Sequence, residues 1–180
     1  MMKRKILGPV MAGLLATAVA GPALANSEHS LGKPLQKNGL IINPVYLQSV
    51  AMAPAMPGMN ANADVHLELD VHADKSNAQG FAPGAWIPAL SVSYEILKKG
   101  SDWSTFGTLM PMVANDGPHY GANIKFDGPG RYVARFKIEP PPYQGFLRHT
   151  TKDTGVPPWW APFEHAWSFT YTGVGKKGGY

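Results

Sequence analysis

An all-β antiparallel sandwich is the fold this 180-residue sequence predicts. Apolar residues recur with period two in four separate stretches, turn-forming clusters divide those stretches at short spacing, and no stretch carries the 3.6-residue pattern of an amphipathic helix. The clearest stretch places Val65, Leu67, Leu69 and Val71 on one parity and His66, Glu68, Asp70 and His72 on the other, which is a strand with one apolar and one polar face. Trp86 to Leu97 repeats the pattern with Leu90, Val92, Tyr94 and Ile96, and Arg131 to Glu139 repeats it with Tyr132, Ala134, Phe136 and Ile138. Glu164 to Thr172 does so with His165, Trp167, Phe169 and Tyr171. Leu40 to Val50 reads as the first strand, and Thr105 to Val113 and Tyr120 to Phe126 fill the middle, which makes about seven strands. Turn chemistry sits at Gly80, Gly84, Gly100, Asp116-Gly117-Pro118 and Asp127-Gly128-Pro129-Gly130. Asp127 to Tyr132 fits the corner of immunoglobulin-like sandwiches, where a Tyr just after a turn bonds back to the backbone.

The beginning of the chain reads as a cleaved signal peptide over residues 1–25. Met1-Met2-Lys3-Arg4-Lys5 is a basic n-region, Ile6 to Ala20 is mostly apolar, and Ala23-Leu24-Ala25 is a small-residue cleavage site. The apolar stretch is short for a membrane span and contains Gly8 and Pro9, and no other segment is apolar enough to cross a bilayer, so no integral membrane segment is expected in the mature chain. Residues 26–39 are expected as a flexible tail, 40–173 as a single metal-binding domain and 174–180 as a second tail. Without Lys3, Arg4 and Lys5, thirteen basic residues face twelve acidic ones, with no basic stripe and no interleaved aromatics; a nucleic-acid partner is not expected.

The chain has no cysteine, so an exported protein of this sequence depends on its core, a metal or a partner subunit rather than on disulfides. The same absence excludes zinc-ribbon sites, blue-copper sites and cysteine nucleophiles. No Ser/His/Asp arrangement and no phosphate-binding glycine loop is present.

Three pieces carry candidate chemistry. His66 and Glu68 lie two apart on one strand and leave the same face, which for the pair alone is ordinarily a solvated face. Met112 and His119 flank Asp116-Gly117-Pro118 and lie close if the two strands form a hairpin, an arrangement more often packing than ligation. His149 sits in the proline-rich stretch from Pro140-Pro141-Pro142 to Pro162, which is expected as a long loop, and a loop histidine is ordinarily a surface residue. Taken together, three imidazoles and one thioether suit copper, because imidazole serves both oxidation states and a thioether favours Cu(I). Glu68 adds a hard oxygen that permits a second ion such as iron. Met52, Met56 and Met59 stand among Pro54, Pro57 and Gly58, which excludes a regular helix and leaves either a copper-capturing segment or a linker whose methionines pack on the body.

Val45-Tyr46-Leu47-Gln48, Ala63-Asp64-Val65-His66-Leu67-Glu68, Met110-Pro111-Met112-Val113-Ala114, Asp116-Gly117-Pro118-His119-Tyr120-Gly121-Ala122-Asn123-Ile124, and Arg148-His149 before Thr154-Gly155 and Trp159-Trp160 resemble, in that order, the FetP-like family of periplasmic iron-transport proteins. The resemblance runs from about Leu40 to Gly173. It implies an immunoglobulin-like sandwich, a periplasmic homodimer, and a copper site on His66, Met112, His119 and His149 with Glu68 as the neighbouring carboxylate. It also implies iron transport beside an inner-membrane iron permease. Where relatives carry an acidic M-E-P segment, this chain reads Met52-Ala53-Pro54, which puts any accessory site built on that acid in doubt.

His29, His72 and His165 match no ligand of that family and read as a tail residue, an exposed strand residue and a residue packed near Trp167. Two rivals stand beside the metal-binding transport component. One is a copper-dependent iron oxidoreductase. The other is a carbohydrate- or protein-interaction module that uses Trp159 and Trp160 as a stacking platform.

Overall fold

A computed structural model describes residues 28–55 and 62–175. The expected leader, Met56, Met59 and the last five residues lie outside the described residues. Every strand pairing in the described chain is antiparallel, and among the described residues the one helical element is a 3-10 turn at Pro141–Gln144. Nine strands occur in it: β1 (His29–Ser30), β2 (Leu35–Lys37), β3 (Leu40–Gln48), β4 (Val65–Ala73), β5 (Ser91–Lys98), β6 (Ser104–Ala114), β7 (Gly117–Ile124), β8 (Gly130–Glu139) and β9 (Phe163–Tyr171).

They form two layers joined through one strand. The order is β1-β3-β4-β7-β6-β5-β8-β9, with β2 also paired to β3. The first half of β6, Ser104 to Leu109, pairs with β5, while its second half, Met110 to Ala114, pairs with β7. One layer therefore holds β1, β2, β3, β4, β7 and the end of β6; the other holds the start of β6 with β5, β8 and β9.

The period-two residues meet between the layers. Val65, Leu67, Leu69 and Val71 from one layer and Val92, Ile96, Tyr132, Ala134, Phe136 and Ile138 from the other are all inaccessible to solvent. Removing this apolar area from water supplies the main stabilisation, at roughly 25 cal/mol per Å². Tyr132 forms the expected corner, donating its hydroxyl to the Gly128 carbonyl at 2.6 Å.

Three expectations need correction. Residues 28–39 are not a loose tail: β1 and β2 both pair with β3, Leu31 is buried, and Asn38-Gly39 closes a two-residue hairpin with φ of 55° and 74°. Two successive positive φ angles are what a hairpin turn of this length needs to match strand twist, and Asn-Gly accepts them readily. The strand expected from Trp86 begins only at Ser91, because Pro88 cannot donate to a ladder and Ala89 has a φ of 57°. Trp86 makes instead a single bridge to His72. The β6–β7 turn is shorter than expected: Asn115 and Asp116 form it, while Gly117, at φ 141°, and Pro118 already belong to β7.

Tyr120 ties β7 to the connection that leads from β4 into β5. Its fully buried hydroxyl donates to the Ile87 carbonyl at 2.8 Å and accepts from the Leu90 amide at 2.9 Å. Tyr120→Phe leaves both backbone groups buried and unpaired, so it is expected to cost about 1–3 kcal/mol. Tyr132→Phe, which removes one bond to a more accessible carbonyl, is expected to cost about 1 kcal/mol. Urea unfolding midpoints of the two variants, at an unchanged m-value, measure the difference.

Candidate metal centre

The face of β4 that carries His66 and Glu68 is turned away from the interlayer core, yet it is not exposed. His66 is 1 % and Glu68 6 % exposed, and His119 on β7 is 5 % exposed. Register explains why these three meet. On β4 and β7, His66 faces Asn123 and Glu68 faces Gly121; on β6 and β7, Met112 faces His119 and Met110 faces Gly121. Directly opposed residues leave the same side of a sheet, so three adjacent strands place His66, Glu68, His119 and Met112 on one face. The structure thus brings the β6–β7 hairpin partners together as the sequence predicts.

Gly121 is the floor of the arrangement. A Cβ on it would meet His66 Nε2 at 2.5 Å, His66 Cε1 at 2.9 Å and His119 Cδ2 at 3.3 Å, so the imidazole rings occupy the space a side chain would need. The two rings stand edge to face with centroids 5.7 Å apart. Glu68 Oε1 lies 3.5 Å from His66 Nε2 and 3.3 Å from His119 Nε2. Ligand atoms of His66, Glu68 and His119 all fall within 4.8 Å of one another, close enough for one cation to bridge them.

Both Nε2 atoms are buried and have no hydrogen-bond partner among the described residues. A buried polar atom without a partner is costly, and such a pair converging on a carboxylate fits a metal ion. The donors are two imidazoles and an oxygen beside a thioether, a set that copper accepts in either oxidation state. His66 Nδ1 is bonded to Asn123 Oδ1 at 2.8 Å. Burial holds the His66 imidazolium below its ordinary pKa, with the Asn123 bond opposing and His119 adding to the effect, so the ring is neutral and able to donate a lone pair at neutral pH.

Beside this group lies a cavity of about 180 Å³ lined by Glu28, Glu68, Asp70, His72, Asp116 and His119. Burial, reinforced by neighbouring carboxylates, raises the Glu28 carboxyl. Burial also raises the Asp70 carboxyl. Glu68 is pushed up to about 8, by burial first and then by Asp70, Glu28 and Asp116. Glu68 borders both the paired imidazoles and the acidic cavity.

His149 stands apart from this group. It is exposed on the loop after β8, its Nδ1 bonded to Thr154 Oγ1 at 3.1 Å, and it is not among the residues whose ligand atoms converge. Met52 is half-buried in the segment after β3. His165 packs edge to face on Trp167 at 4.4 Å, as expected. His29, expected in a tail, belongs to β1 and stacks on Tyr46 at 5.2 Å; His72, expected to be exposed, is half-buried and lines the acidic cavity. Trp159 and Trp160 meet edge to face at 5.5 Å, and Trp159 also packs with Phe81 and Phe146, each at 6.3 Å. They form a wall more than an open platform.

Sequence reasoning gave no role to Gly121, Asn123 or Glu28. Gly121 and Asn123 share the parity of His119 along β7, so strand periodicity carries a signal for them. Glu28 lies next to β1, where no alternation is long enough to read.

The fold and this face define a β-sandwich protein with a metal-competent centre. A model of the Fe2+ transport protein family matches residues 25–173, and the chain belongs to that family. A UPF0423 protein of Brucella abortus (strain 2308) is 46% identical over 170 residues, which cover 92% of this chain and 93% of the relative. The 34 kDa membrane antigen of Treponema pallidum (strain Nichols) is 37% identical over 152 residues, covering 82% of this chain and 74% of the antigen. Among solved structures, FetP of uropathogenic E. coli strain F11, isolated after recombinant expression in the periplasm, is 46% identical with a TM-score of 0.78, covering 82% of this chain and 98% of FetP. The copper-reconstituted P19 protein of Campylobacter jejuni is 44% identical with a TM-score of 0.80, covering 83% of this chain and 99% of P19. A copper-bound variant of the same FetP is 46% identical with a TM-score of 0.80, covering 82% of this chain and 99% of that variant. Among the described residues, no helix is long and apolar enough to cross a membrane.

Two outcomes test the geometry. Gly121→Ala is expected to displace the imidazole rings and weaken copper binding on the order of 10-fold or more. Circular dichroism is expected to report an intact β fold in that variant. In the metal-free fold Glu68 keeps its proton up to about 8, whereas an unfolded glutamate releases it near 4.5, so unfolding releases a proton between those values. Stability therefore falls as pH rises through that window. Glu68→Gln cannot ionise and is expected to flatten the fall, as measured by thermal unfolding of metal-free protein at about pH 5 and about pH 8.

Proposed function

We propose that this chain is a periplasmic metal-binding accessory of high-affinity iron uptake, exported by its first 25 residues and working beside an inner-membrane iron permease. In this reading His66, Met112 and His119 hold copper on the outer face of the β3–β4–β7–β6 layer. The carrying observation is the pair of buried imidazole nitrogens, without hydrogen bonds among the described residues, that converge on Glu68 while Met112 stands across from His119. Membership of an Fe2+ transport family, the copper in the FetP variant and P19 structures, and the expression of FetP in the periplasm support it.

His149 completes the donor set from a second copy of the chain. Its exposure on a loop, outside the group in its own chain, favours a homodimer in which each copy lends this residue to the other. Iron is the cargo, and the adjacent acidic cavity is its place: Glu28, Asp70 and Asp116 offer the carboxylate oxygens that hard divalent ions prefer. Glu68 serves whichever ion needs the shared oxygen. Copper, when bound, supplies one-electron redox chemistry; the protein's part is to exclude water, present neutral imidazoles and hold the carboxylates close by.

A second reading, a copper-dependent iron oxidoreductase, draws on Glu68 bordering both places. Turnover of iron by purified protein with a defined electron partner separates it from a carrier.

Copper titration tests the main reading. His119→Ala is expected to weaken copper binding by 10-fold or more, roughly the loss of a good ligand contact. His149→Ala is expected to weaken it and to lower the copper-dependent dimer fraction in sedimentation. Unchanged copper affinity in His119→Ala removes that residue from the site.

A further inference from the structure

We infer that Asn123 is a positioning residue that dictates which nitrogen of His66 carries the proton, and so aims the ring's lone pair at the metal position. Val50 fixes the orientation of the Asn123 side chain. A backbone N–H can only donate and a backbone carbonyl can only accept. The Asn123 carboxamide is held against both: it accepts from the Val50 amide through Oδ1 at 3.3 Å and donates from Nδ2 to the Val50 carbonyl at 2.8 Å. Turning the carboxamide over sets donor against donor and acceptor against acceptor, so the main chain of Val50 decides its orientation.

That orientation presents Oδ1, an acceptor, to His66 Nδ1 at 2.8 Å. Nδ1 must therefore carry hydrogen, and in the neutral ring the lone pair is left on Nε2. Nε2 is the atom above Gly121 that faces Glu68 and lacks a hydrogen-bond partner. Free neutral histidine in water favours the opposite tautomer, so a ligand ring without this bond has to exchange its proton before it can coordinate through Nε2. A hydrogen bond from the second ring nitrogen also fixes ring orientation and raises ligand basicity. The same carboxamide clamps the chain where β3 leads into the methionine-bearing segment, so the position of Val50 and the aim of His66 are set by one group.

A plain tether between Val50 and β7 is the competing explanation, and two substitutions separate it from the positioning role. Asn123→Asp keeps an acceptor toward His66 but disturbs the bonds to Val50. Asn123→Leu preserves approximate size and removes every polar contact. The 15N chemical shifts of the His66 ring, assigned by comparison with His66→Gln, are measured in metal-free protein; Cu(I) and Cu(II) affinities are measured by competition titration. The wild type is expected to show the Nδ1–H tautomer. Asn123→Asp is expected to retain that tautomer and hold copper within about 3-fold, whereas Asn123→Leu is expected to lose the tautomer and weaken copper by about 10- to 100-fold. A wild-type ring protonated on Nε2 overturns the inference, and that measurement needs no variant to fold. Equal losses of copper in the two variants overturn it as well, in favour of the tether. The affinity arm rests on the copper reading above and the tautomer arm does not. Absence of copper binding with the Nδ1–H tautomer intact refutes that reading alone, and copper binding to a wild-type ring protonated on Nε2 refutes this inference alone.

Discussion

Everything at this centre depends on β4 being buried on both faces. One face packs Val65, Leu67, Leu69 and Val71 into the interlayer core, which any half-buried strand does. The other face carries His66 and Glu68 out of contact with water, in the company of Val45 and Leu47 on β3. Taking imidazole and carboxylate groups out of water is unfavourable unless partners compensate. The fold compensates one atom directly, His66 Nδ1 through Asn123, and leaves the two Nε2 atoms without a hydrogen bond among the described residues, both facing the Glu68 carboxyl. Apolar burial elsewhere in the sandwich stabilises the whole enough to tolerate that local cost, as proteins commonly do where they bind something.

Donors of different hardness share that face. His66 on β4, His119 on β7 and Met112 on β6 follow one another across it, and Glu28, Asp70 and Asp116 line the neighbouring cavity together with His119. Burial first, and then the neighbouring Asp70, Glu28 and Asp116, raise the proton affinity of Glu68. A cation that takes Glu68 as a ligand therefore competes with that proton. The two places differ in chemistry while sharing the Glu68 carboxylate.

Much of this was legible in the residues. Period-two alternation located β4, β8 and β9 and identified their inward faces, and the Met112–His119 pairing followed from a hairpin read across Asp116-Gly117-Pro118, although the turn itself proved shorter. The Tyr132 corner was legible because it is local, spanning only the turn from Asp127. The burial of the polar face of β4 was not legible. It arises from pairing with β7, more than fifty residues away, and no local pattern encodes that adjacency. For the same reason Gly121 and Asn123 had no visible role until their partners across the sheet were known. Asn38-Gly39 is a different case: the strongest short hairpin signal was present in the sequence, and the pairing of β2 with β3 follows from it. His149 was rightly a loop residue, and in its own chain it lies outside the converging group.

The strand β6 belongs to both layers, changing partners between Leu109 and Met110. A strand that is stitched into two sheets acts like a shared beam: neither sheet can slide or tilt without pulling on it. Met112 stands three positions past the crossing, so its backbone is held by the β6–β7 pairing while its unbranched side chain keeps its own rotatable bonds. Any shift of the Met112 sulfur is therefore a turn of one side chain and not a movement of its strand.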